Sequence, residues 1–178
     1  MQNFRQHTSC SRAVAKAMRN HGVQLALEYI GPKTSQASSR CPFILALGEL
    51  RELISEIDIG NVGAVPDNWH WWSARDTVGD LLALKATDVV AVDLDDAPAG
   101  IPKQPQTDGR RELPCAKGVI DVGTFRKALN QMSYDGPVRV EPFTQAVNKM
   151  SWEEGCAAAA ACQSAPNACG LKNQPKPR

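Results

Sequence analysis

The sequence predicts an α/β fold with parallel strands, on three observations. Four short apolar runs, at residues 23–27, 62–65, 89–92 and Val138–Val140, have strand length and β-branched content. Segments with apolar residues at helical spacing separate them, and strands that alternate with helices are joined by crossovers and lie parallel. The runs are nearly continuous in apolar character, as in strands covered on both faces. A layered α/β architecture accounts for all three.

The elements follow in order. A first helix is expected at about residues 11–20, ending near Gly22. The strand at 23–27 (VQLAL) leads to a helix over 43–57 (FILALGELRELISEI) and a second strand, VGAV. A helix over 76–86 (DTVGDLLALKA) precedes VVAV. Residues 97–118 show no helix or strand pattern, and a loop that long in a compact domain is usually functional or disordered. A helix over 122–132 takes Asp121 as its N-cap. After VRV comes a helix over 151–161, with Ser151 as cap and Glu153 and Glu154 in its first turn. Residues 164–178 are polar and proline-rich, and are expected to be disordered.

Composition narrows the function classes. With 178 residues, 43% hydrophobic and 22% charged, the chain can bury the core of one globular domain. A net charge of +1 gives no electrostatic footprint for nucleic acid or an anionic membrane. No apolar run spans a bilayer, and the N-terminal stretch lacks the apolar core of a signal peptide, so a cytoplasmic location is expected. None of the six cysteines forms a C-x-x-C pair, and free thiols in a reducing compartment are expected. The only histidines are His7, His21 and His70, so a metal site must rest mainly on oxygen ligands. That favours magnesium or manganese over zinc.

The residues that follow the strands carry the chemistry. Glu28 follows the first, Asp67 lies just past the second, Asp93 follows the third and Glu141 the fourth. In a parallel sheet these carboxyl ends share one edge, where α/β folds bind ligands. A single acid there is more often a helix cap or a solvated group. Four in register would repel one another unless a cation neutralised them, which favours a divalent metal. His70 lies in a loop past the second strand, in DNWHWW; the tryptophans there wall a pocket or pack against neighbouring loops. The long loop carries Lys103, Arg110 and Arg111; an arginine there binds a substrate oxygen by its planar fork or is solvated, the latter more readily for Arg110. P-loop, dinucleotide-binding, zinc-protease and nucleophile-elbow motifs are absent.

The stretches VDLDDAPAGIPKQPQTDGRRELPCAKGVIDVGTF and YDGPVRVEPF, with LEYIGPKT and NVGAVPDNWHWW, resemble the sugar phosphate isomerase/epimerase family with a xylose isomerase-like barrel. The resemblance runs from about Val23 to the end of the last helix. It implies a partial (β/α)₈ barrel, roughly strands five to eight, over residues 11–163, with 1–10 outside the family. It implies a divalent metal on Glu28, Asp67 and Glu141, with the family's metal-binding histidine replaced by Asp93. Glu28 and Glu141 would also be the acid/base pair, with His70 and Arg111 as substrate contacts. The implied reaction is isomerisation or epimerisation of a small sugar, keto-sugar or polyol-derived substrate, by proton transfer beside a metal-polarised carbonyl. The alternatives are a dehydratase or hydroxypyruvate-type isomerase on the same fold, or a non-catalytic fragment that binds a partner through open strand edges. Two further departures stand out. Pro114-Cys115 replaces a Pro-Gly of the family. A whole barrel needs about 250 residues, so a homodimer or another partner would have to complete this one.

Overall fold

Four short strands and eight helices make up residues 2–164, the part of the chain described by the computed structural model. In order they are α1 (Gln2–Arg19), β1 (Leu25–Leu27), α2 (Lys33–Ser38), α3 (Leu47–Ile57), β2 (Val62–Ala64), α4 (Asn68–Ala74), α5 (Val78–Leu82), β3 (Val92–Leu94), α6 (Val122–Gln131), β4 (Val138–Val140), α7 (Gln145–Asn148) and α8 (Trp152–Ser164). β1 pairs in parallel with β2, Leu25 opposite Val62, and β3 with β4, Val92 opposite Val138. Parallel bridges between Ala64 and Val89 and between Asp67 and Asp93 join the two pairs. The strands thus lie in chain order, all parallel, as expected for an α/β fold of TIM-barrel type.

The core lies between strands and helices. α3 contributes Leu47, Leu50, Leu53 and Ile57, at helical spacing, and α6 contributes Val122, Phe125, Ala128 and Leu129. From β3, Val92 and Leu94 join the same cluster. Because strand side chains alternate, Asp93 between them points to the opposite face.

Several boundaries differ from the expected ones for local reasons. α1 begins nine residues before residue 11 and crosses the expected boundary at residue 10 without a break. Nothing in QNFRQHTSC breaks a helix, and Phe4, Thr8 and Ala15 recur along one side, with Phe4 edge-on to Phe43. Arg12 then donates to the carbonyls of Glu56 and Ile57, at the end of α3. α3 starts only at Leu47, because Ile44 is left-handed (φ 58°); Asp76 Oδ2 then accepts the Leu47 N–H at 3.1 Å. α5 spans less than the expected 76–86: the Thr77–Asp80 capping box starts it, and a 3₁₀ turn at Ala86–Asp88 follows its end. α6 starts as expected, with Asp121 accepting the Thr124 N–H at 2.8 Å. Ser151 caps α8, with Glu154 reaching back to the Ser151 N–H at 2.8 Å. The expected disordered tail lies, after Ser164, outside the described residues.

Two corrections bear on the chemistry. The third strand is Val92–Leu94, so Asp93 lies inside it and Asp95 follows its end. Cys115 is disulfide-bonded, while Cys10, Cys41, Cys156 and Cys162 are free, so the thiols no longer argue for a reducing compartment. Cys115 is also left-handed (φ 62°), the conformation that suits the family's glycine there.

Candidate metal centre at the carboxyl ends of the strands

Asp67 does two jobs. Its Oδ1 accepts the Trp69 N–H at 2.7 Å and caps α4, while its Oδ2 accepts from Arg111 Nη1 at 2.7 Å. The capping and the functional readings of this acid therefore both hold. The cap starts a seven-residue helix where a loop was expected, and this helix carries His70 to within 3.9 Å of both Asp67 Oδ2 and Glu28 Oε1. Gly31 sits so close that an added Cβ would strike the His70 carbonyl, and its N–H donates to His70 Nδ1 at 3.2 Å. That leaves the hydrogen of the neutral ring on Nε2, aimed at the cluster.

Asp95 completes the floor. The Asn68 side chain holds its backbone on both sides, donating to Asp95 O at 2.8 Å and accepting from Asp95 N at 2.7 Å. Asp96 fixes the loop that follows, accepting four backbone N–H groups, from Lys117, Gly118, Val119 and Ile120, at 2.6–2.9 Å. Asp96 also bridges to Glu112, and Phe143 N–H donates to Arg111 O at 3.0 Å. The long loop is thus ordered, and its purpose is visible in where it puts Arg111.

Arg111 is 3% exposed and lies at the centre of the acids. Its Nη1 donates to Asp67 Oδ2 and Glu141 Oε2, each at 2.7 Å, and to Asp95 Oδ2 at 3.3 Å. Asp108 takes Nη2 at 3.0 Å, and the rings of Phe143 and Trp69 lie 4.8 and 5.8 Å from the guanidinium carbon. Of the three tryptophans, Trp69 backs the site. Trp71 instead packs on Phe125 in the core, and Trp72 lies under Lys103.

Burial sets the charge states. It raises the Glu28 carboxyl to about 8, with Asp67 adding to the rise. It raises Asp67 to about 7 against the pull of Arg111, and Asp95, with Asp67 beside it, to about 9. His70 falls to about 3 through burial and the Arg111 charge. Burial works against Arg111 too, but Asp67, Asp95 and Asp108 outweigh it and its pKa rises.

Of the residues predicted from sequence, the structure brings together Glu28, Asp67, His70, Arg111 and Glu141. Asp93 stands apart, its carboxylate held by Arg139 Nε at 2.8 Å and Nη2 at 2.5 Å, and Asp95 takes its place. Among the described residues, two groups offer ligand atoms within 4.8 Å of one another: Glu28, Asp67 and His70, and Asp67, Asp95 and Glu141. Asp95 Oδ1 is buried without a hydrogen-bond partner among the described residues. An unserved buried carboxylate oxygen in an oxygen-rich, acid-rich site fits a hard divalent cation.

Comparison with known proteins shows the family and the fold. The family model described as xylose isomerase-like TIM barrel matches residues 2–163, starting before the expected boundary at residue 11. An inosose isomerase of Halalkalibacterium halodurans is 25% identical over 144 residues, covering 79% of this chain and 47% of that protein. A xylose isomerase domain protein from Alicyclobacillus acidocaldarius superposes with a TM-score of 0.73 at 28% identity, over 89% of this chain and 55% of that one. The structure of the IolI protein with a bound zinc atom superposes with a TM-score of 0.80 at 20% identity, over 94% and 58%. The chain spans about half the length of the relatives it matches.

Proposed function

Because the chain belongs to the xylose isomerase-like TIM barrel family, we propose that it carries the metal-binding half, strands five to eight, of an isomerase or epimerase. Its substrate would be a small sugar, keto-sugar or polyol-derived ketone. The observation that carries this reading is the convergence of Glu28, Asp67, Asp95 and Glu141 with His70 at one strand edge. Glu28, Asp67, Asp95 and Glu141 would hold the ion, manganese or magnesium by their oxygen donors, although the IolI relative binds zinc. A bound divalent ion supplies polarisation of the substrate carbonyl.

Burial divides the work among the residues. Asp67 and Asp95 are fully buried and serve the ion alone, while Glu28 and Glu141, with side chains 33% and 41% exposed, also face the substrate. One glutamate takes the proton from the carbon beside the carbonyl, leaving an enediolate. A proton then returns to the neighbouring carbon in an isomerisation, or to the opposite face of the same carbon in an epimerisation. Glu28 and Glu141 would be the acceptor and the donor in that exchange. The Nε2–H of His70 would donate to one substrate oxygen, and Arg111 would supply a second donor. Keto-inositols deserve inclusion among the substrates tested, because an inosose isomerase is among the relatives.

The test is calorimetric titration of manganese into the purified chain and into Glu141→Gln. We expect one ion per site in the wild type and at least tenfold weaker binding in the variant. Loaded chain should then exchange deuterium from heavy water into the carbon beside the carbonyl of a ketose or keto-inositol. Equal binding by both proteins would remove Glu141 from the site, and no binding by either would remove the metal reading.

A further inference from the structure

The carboxylate cradle already contains a cation. Arg111 Nη1 sits within hydrogen-bond reach of Asp67 Oδ2, Asp95 Oδ2 and Glu141 Oε2. The same three residues form one of the two groups whose ligand atoms cluster within 4.8 Å. An oxygen-bound divalent ion lies about 2.0–2.6 Å from each ligand oxygen. A guanidinium nitrogen serving those oxygens would press against that ion, charge against charge. We propose that Arg111 and a divalent ion are mutually exclusive occupants of the Asp67–Asp95–Glu141 cradle, so that ion loading expels the guanidinium toward the mouth of the site. The inference rests on the metal-binding reading above and adds a built-in competitor to it.

Two features show that the arginine fills this place incompletely. Asp95 Oδ1 stays buried with no partner among the described residues while Arg111 serves Oδ2. Nη2 faces His70 Nε2 at 3.1 Å, yet the Gly31 N–H on Nδ1 assigns the ring hydrogen to Nε2, so two donors meet head to head. Among the described residues, the acids hold the guanidinium in place, with the rings of Phe143 and Trp69 flanking it. A route outward is present as well. Asp108, one-third exposed, grips Nε at 3.3 Å and Nη2 at 3.0 Å, and Phe143, 40% exposed, flanks the guanidinium. Asp108 is three residues from Arg111 on the same loop, so it can keep its grip while the head leaves the cradle. The expelled head would then stand at the mouth as a donor for a substrate oxygen.

The experiment compares manganese affinity in the wild type, Arg111→Met and Arg111→Gln by calorimetry, with circular dichroism to check the fold. Exclusion predicts at least tenfold tighter binding in both variants. If Arg111→Met unfolds in chelator, manganese should refold it, and Arg111→Gln, which keeps an amide donor for the acids, supplies the affinity. Equal or weaker affinity in the folded variants, with the wild type binding manganese, would overturn the exclusion and leave the metal site standing. No binding by any of the three would remove the metal site and the exclusion together.

Discussion

Asp93 and Asp95 are separated by one residue, share a face, and do different work. Strand pairing puts Asp93 directly opposite Arg139, so its charge is tolerated inside β3 by a two-pronged ion pair. Arg139 is half exposed, which limits the strength of the pair, but Asp93 is buried, and among the described residues Arg139 is its ion-pair partner. Arg139→Met should therefore cost about 1–3 kcal/mol, read from urea unfolding. The double variant Asp93→Leu/Arg139→Met should recover part of that loss, because no buried charge is then left alone. A neutral single variant would show that Asp93 needs no partner. At this scale the sequence points to Glu28, Asp67, His70, Arg111 and Glu141, which lie together at one strand edge. Asp93, expected to follow the third strand, lies inside it opposite Arg139, because VVAV joins the sheet at Val89 but the paired strand runs on to Leu94. The three aspartates of VDLDD hold the missed signal: alternation puts Asp93 and Asp95 on one face and leaves Asp96 to turn the chain.

At the scale of elements, the capped helix starts were legible, whereas the short helices α2, α4 and α7 were not. Caps are local, and Asp121, Ser151 and Thr77 each act through bonds to residues three away. Strands of three residues carry almost no periodic signal, so their ends are set by pairing with distant residues. The loop over 97–118 was the least legible segment, because its order comes from one side chain that closes it like a clasp. Asp96, fully buried, accepts all four N–H groups of residues 117–120. Asp96→Ala would leave those donors unserved and free the loop that carries Arg111. We expect a loss of about 3 kcal/mol or more, with fast amide exchange across 97–120 and slow exchange kept in α3 and α6. Uniform exchange throughout the chain would instead mean that the clasp supports the whole fold and not the loop alone.

For the whole molecule, the acid cluster makes stability depend on pH in a direction opposite to ordinary acid unfolding. Burial raises Glu28 from 4.5 to about 8, Asp67 from 3.8 to about 7 and Asp95 from 3.8 to about 9. In that window the folded chain keeps protons that the unfolded chain has released. The contribution of these groups is complete below their unfolded values and is lost as pH rises through their folded ones. His70 runs the other way: lowered from 6.5 to about 3, it contributes above 6.5 and loses that contribution as pH falls toward 3. Between 4.5 and 6.5 three carboxyls oppose one imidazole, and above 6.5 the carboxyls act alone. In chelator the thermal midpoint should therefore fall steadily from pH 5 to pH 8. With saturating manganese the slope should reverse, because the ion binds the ionised carboxylates and competes with their protons, so its affinity grows with pH. A flat profile in chelator would mean that Arg111 alone neutralises the cluster and the carboxyls stay ionised. A falling profile that manganese leaves unchanged would mean that the acids take up protons but bind no ion, which would leave the chain with the architecture of a metal enzyme and not its chemistry.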